Sequence, residues 1–147
     1  LLVVVVFVVA GAAGWWMATR PKPLDLAGSF TVKLTLGGGY PPDMNEVVVS
    51  SDGSITASVG DEHPSTRLQP GELAELRAVL DRDDLGSLDS YYGEQVADGM
   101  YLRLVVATPA ETKSIEVEGE PSAMPSEVSE VTRLLQLFAA RHDLAAR

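Results

Sequence analysis

The sequence predicts an α+β domain: a two-layer antiparallel sheet of about five strands with two helices on one face, ordered βββ-α-ββ-α, preceded by an N-terminal apolar helix. Three observations predict it. Several stretches alternate apolar and polar residues with the two-residue period of a half-buried strand, and two others repeat apolar residues every three or four positions, as one-sided helices do. The connections between strands are short and rich in turn residues, which suits hairpins and leaves no room for the crossovers of a parallel sheet. Strands and helices that are each apolar on one side bury those sides against one another.

Residues 1–17 carry no charge, and the segment 1–18 reads as a transmembrane anchor or a signal peptide. A bilayer core about 30 Å thick needs roughly 20 apolar residues as a helix, so a few more upstream would complete a span. Trp15 and Trp16 would then lie at the interface, where amphipathic rings prefer to sit. The alternative is cleavage, because Ala10-Gly11-Ala12 fits the small-residue pattern that follows an apolar run. A buried core helix is a poorer reading, since a valine-rich segment without a polar face is not amphipathic. Either way the C-terminal part is expected outside the cytoplasm, tethered or secreted, although Arg20 and Lys22 are positive charges of the kind that favour the cytoplasmic side. Residues 19–27, with Pro21 and Pro23, read as an extended linker, and the domain proper as 28–147.

Phe30, Val32, Leu34 and Leu36 alternate with Thr31, Lys33 and Thr35 as the first strand. Gly37-Gly38-Gly39 then opens backbone conformations closed to other residues, and Pro41-Pro42 stiffens the exit. Val47, Val48 and Val49 form a β-branched second strand, Ser51-Asp52-Gly53-Ser54 a turn, and Ile55, Ala57 and Val59 a third strand. Pro70 suits the first turn of a helix carrying Leu73, Leu76, Val79 and Leu80, which ends near Arg82. Tyr91-Tyr92 leads into a loop ending at Asp98-Gly99. Met100, Leu102, Leu104 and Val106 mark the fourth strand, Ile115 and Val117 the fifth, with a hairpin loop between them. Ser126 can cap a last helix bearing Val128, Val131, Leu134, Leu135 and Phe138, which frays after about Arg141.

A formal net charge of −10, from 21 carboxylates against 11 scattered lysines and arginines, makes nucleic acid an unsuitable partner and a cationic one acceptable. Without cysteine there is no disulfide, thiolate chemistry or Cys-ligated zinc. The run from Asp81 to Asp89 imitates a calcium loop, but position five is Leu85 and position twelve is Tyr92, so the bidentate carboxylate is missing. His63 and His142 have no second ligand at helical spacing and read as surface residues. No nucleophile elbow or phosphate loop is present, so no catalytic residue, cofactor or metal is assigned.

The segment Gly37, Gly38, Gly39, Tyr40 and Pro41 is the candidate partner-binding surface: a flat backbone edge beside an aromatic ring suited to interfaces. Its structural alternative is a strained connection between strands.

Four features together resemble the emfourin-like proteins, small bacterial domains whose type members inhibit thermolysin-like metallopeptidases. They are a first strand ending in Gly38-Gly39-Tyr40, a helix introduced by Gln69-Pro70-Gly71-Glu72-Leu73, Asp98 preceding the Met100-Tyr101-Leu102 strand, and Met124-Pro125 opening the final helix. The resemblance spans residues 30–138. It implies an α+β fold and a protein partner, a metallopeptidase among the candidates, and so a non-catalytic, membrane-anchored or exported binding domain. Two other classes stay open: a cell-envelope structural subunit that self-associates through a sheet edge, and a hydrolase built on Asp98 with Glu116 or Glu118.

Overall fold

The computed structural model describes residues 24–38, 45–82 and 84–144. The expected N-terminal helix and the first part of the expected linker lie outside these residues. Among the described residues no helix is long and apolar enough to cross a membrane.

The α+β class and the two helices are as the sequence predicts, but the sheet has seven strands and is mixed. They are β1 (Thr31–Gly38), β2 (Glu46–Ser50), β3 (Ser54–Ser58), β4 (Ser65–Arg67), β5 (Tyr91–Gly93), β6 (Met100–Ala107) and β7 (Thr112–Gly119). The helices are α1 (Pro70–Arg82) and α2 (Ser126–Arg141). Across the sheet the order is β4-β3-β2-β1-β6-β7-β5. The first four strands form an antiparallel meander, and the β6–β7 hairpin returns to the other side of β1.

The expected count of five strands omits β4 and β5, each three residues long. All of β4 is exposed, so it carries no alternation for a hydropathy pattern to detect. The expectation of a purely antiparallel sheet fails at one pair, because β5 runs parallel to β7. Chain reversal explains this. The loop 94–99 turns β5 back into β6, the next hairpin turns β6 back into β7, and the two outer strands therefore point the same way.

One face of every long strand is buried. Val32, Leu34 and Leu36 on β1, Val47 and Val49 on β2, Leu102, Leu104 and Val106 on β6, and Ile115 and Val117 on β7 are all nearly inaccessible. Leu76, Val79 and Leu80 of α1 and the Val128, Val131, Leu135 and Phe138 stripe of α2 complete the same core. Leu26 is also buried in it and Leu24 packs against it, although both fall in the stretch expected to be linker. The opposite sheet face carries Lys33, Glu46, Val105, Arg103, Tyr101, Glu116 and Glu118, and among the described residues no helix lies over it.

α1 starts at Pro70 and ends at Arg82 as the sequence predicts, while both ends of α2 differ from their sequence reading. Gln69 caps α1 through its carbonyl, Pro70 takes the first helical position, and Glu72 reaches back to the Gln69 N–H at 2.9 Å, half of a capping box. Ser126, expected as the cap of α2, is its first helical residue and its hydroxyl donates to Glu127. The end of α2 does not fray. Leu144 N–H bonds Ala139 O at 2.9 Å and Asp143 N–H bonds Ala140 O at 3.2 Å, with Asp143 at φ 53° and Leu144 buried: a complete Schellman stop.

Candidate interaction surface

β1 begins beside the incoming chain at Phe30 and ends about 25 Å away at Gly38, given the rise of a strand. At that far end β1, β5 and β7 finish and β6 starts, so several strand ends converge. Gly38 is forced to be glycine. Its φ is +66°, and a Cβ there would stand 1.9 Å from the carbonyl oxygen of Gly99. Gly93, at φ +92°, approaches the Glu118 carbonyl in the same way.

Gly37 is a different case. It pairs with Tyr101 across the β1–β6 ladder, and a Cβ on it would meet Tyr101 Cδ1 at 3.7 Å, an ordinary contact. The tyrosine ring therefore flanks the space a side chain would fill, as aromatic residues do beside strand glycines. Of the five residues expected to meet a partner, Gly37 and Gly38 are placed at this strand end. Gly39, Tyr40 and Pro41 lie outside the described residues.

The pairing register sets a row of side chains across the uncovered face: Glu46, Thr35, Arg103, Glu116 and Tyr91 on successive strands. Opposite charges on it pair locally. Lys33 meets Glu46 at 2.5 Å, and Arg103 Nε lies 3.3 Å from Glu116 Oε1 while also donating to Ser114 at 3.2 Å. The Tyr91 hydroxyl donates to Glu118 Oε2 at 3.3 Å. Partial burial, then the charges of Glu118, Glu116 and Glu94, push the Tyr91 phenol above its ordinary pKa. Sequence pattern gave no warning of this residue, because a three-residue strand has no period to read. Among the described residues the exposed large hydrophobic side chains are Tyr91, 45% exposed, and Val96, 54% exposed. Val96 sits at this end, and Tyr91, level with Thr35 in the register, reaches toward it through its hydroxyl on Glu118.

The protein-family models contain no match to the chain, and no curated protein is significantly similar to it.

The acidic residues considered for hydrolysis are engaged separately. Glu116 is taken up by Arg103, Glu118 by Tyr91, and Asp98 occupies an exposed turn at φ 62°. The calcium-like run is broken up as well. Leu85 is buried in a short 3₁₀ turn, Tyr92 lies on β5 with its hydroxyl accepting from Asp89 N–H, and Lys113 Nζ donates to the carbonyls of Gly86 and Leu88. Among the described residues no three histidine or carboxylate groups converge as metal ligands.

Sequence spacing also concealed the environment of His142. Its Nε2 lies 2.8 Å from Glu72 Oε2, joining the end of α2 to the start of α1 across 70 positions, with both side chains mostly buried. Burial pushes the Glu72 carboxyl up. Hydrogen bonds from His142 and the Gln69 N–H, with the charges of His142 and Arg141, outweigh that and hold it below its ordinary value. Each charge also suits the dipole of its own helix end. His63, by contrast, is exposed and bonds the Ser58 hydroxyl at 3.0 Å.

At the near end of the sheet, residues 29–31, 50–52 and 107–109 frame a shallow cleft of about 340 Å³. Its Asp52 carboxylate is spent on its own turn, accepting from the Ser54 N–H at 2.9 Å and hydroxyl at 2.8 Å, which lowers its pKa.

Proposed function

We propose that this chain is a non-catalytic protein-binding domain, anchored to a membrane or exported, which presents the far end of its sheet to a protein partner. The first partner to propose is a thermolysin-like metallopeptidase, the target of the emfourin-like inhibitors whose layout the sequence resembles. One observation carries the choice of surface: of the two large hydrophobic side chains exposed among the described residues, Val96 lies at the end where β1 delivers Gly37 and Gly38, and Tyr91 leans toward it through its hydroxyl on Glu118. Solvent-exposed apolar groups gathered at one place favour an interface over a random surface.

The direction of β1 supports the tethered form of this reading. A chain arriving from an N-terminal anchor meets the domain at Leu26 and Phe30, so Gly38 and its neighbours would point away from the bilayer, toward a partner. The cell-envelope structural reading draws less support, because the two edge strands are three residues each and offer little backbone for edge-to-edge growth. The reading is tested by titrating the full chain against a thermolysin-like metallopeptidase and following residual activity against molar ratio. Inhibition with a stoichiometric endpoint is expected. Activity unchanged at excess chain would remove the metallopeptidase as the partner.

A further inference from the structure

On the uncovered sheet face, β7 places Glu116 and Glu118 two residues apart, and β5 sets Tyr91 beside Glu116 in the same register. Arg103 cannot neutralise both carboxylates. It lies against Glu116 and donates to Ser114, so its charge is already engaged. Glu118 has only the Tyr91 hydroxyl, and among the described residues neither it nor Glu94, which follows β5, has a cationic partner. The surface therefore combines an exposed tyrosine ring, a second ring at Tyr101 on β6 across β7, and two carboxylates whose charge no cation among the described residues offsets.

Those features select an occupant. A neutral apolar strand laid here would desolvate Glu118 and Glu94 without pairing them, at high cost. A second copy of this chain, itself carrying −10, would bring like charges together. A guanidinium or ammonium group satisfies both the ring face and the carboxylate. Glu94 follows Gly93, which pairs with Glu118 in the β5–β7 register, so the two unpaired carboxylates lie on adjacent chain segments beside Tyr91.

We propose that the face formed by β6, β7 and β5 docks an extended segment of the protein partner through an arginine or lysine side chain. The proposal rests on the binding-domain reading above and specifies the chemistry of the segment recognised. It places Tyr91 under one cationic side chain, with Glu118 and Glu94 as its counter-charges.

The test is fluorescence anisotropy of a labelled octapeptide alternating arginine and glycine, added to the full chain at low salt. A glutamate-glycine octapeptide serves as comparison. Saturable binding of the arginine peptide alone is expected, weakened about tenfold or more by Glu118→Gln or Tyr91→Ala and also by Glu94→Gln, which alters only a loop. Asp61→Asn removes the same charge from an exposed turn beside β3 and should leave binding unchanged. No saturable binding, or equal weakening by Asp61→Asn, would overturn the proposal. Peptidase inhibition that survives Glu118→Gln and Glu94→Gln would overturn it too while leaving the binding-domain reading standing. Peptide binding without inhibition of a thermolysin-like metallopeptidase would remove that enzyme as the partner and leave the docking proposal standing.

Discussion

Gly37 and Gly38 are neighbours with opposite roles, and substitution separates them. Alanine at Gly38 would need a positive φ and would drive a Cβ into the Gly99 carbonyl, so Gly38→Ala should cost about 2 kcal/mol or more. Alanine at Gly37 meets only the side of the Tyr101 ring, and Gly37→Ala should change stability by less than about 1 kcal/mol. Urea unfolding midpoints decide between them. Asp143 gives the complementary case. It holds the left-handed position of the α2 stop, where glycine is freer, and it places a negative charge at the unfavourable end of the dipole. Asp143→Gly should therefore stabilise by roughly 0.5–1 kcal/mol in the same assay. In the sequence, three consecutive glycines announced an irregular strand end but not which of them the backbone requires. That depends on how closely Gly99 approaches from the turn before β6.

The long strands and both helices were legible because burial is one-sided and periodic. Val32, Leu34 and Leu36 could face only one core, and the α2 stripe could face only the same one. β4 and β5 were not legible, because three residues hold barely one period and their partners are set by topology. The parallel pairing of β5 with β7 follows from two chain reversals around β6, which no local pattern encodes. Glu72 was legible as a helix-start residue, but its bond to His142 was not, since contacts across 70 positions leave no spacing to read. That bond makes an expected pH dependence. The folded carboxyl releases its proton more readily than an ordinary glutamate at 4.5, so its stabilisation is complete above that value and is lost as pH falls through the depressed folded value. Glu72→Gln should lower stability at neutral pH by about 2 kcal/mol and flatten the fall toward acid, read from unfolding midpoints between neutral and strongly acidic buffer.

At the scale of the whole molecule, the fold separates two ends of one sheet. The chain enters at Leu26 and Phe30, sealed by the core and by Arg77 5.0 Å over the Phe30 ring. The other end collects strand termini, forced glycines and Val96, with Tyr91 leaning toward it. The candidate surface was thus half legible. Gly37 and Gly38 marked the far end of the sheet, while Tyr91, Val96 and the charges of Glu118 and Glu94 appear only once β5 is seen to be the edge. The most direct measurement titrates a thermolysin-like metallopeptidase with the full chain and, in parallel, with Val96→Asp, an exposed substitution that should spare the fold. The account expects stoichiometric inhibition by the first and at least about tenfold weaker inhibition by the second, since a buried interface hydrophobe replaced by a charge loses well over that factor. Equal inhibition by both chains would contradict the placement of the surface, and activity unchanged by either would contradict the metallopeptidase as partner.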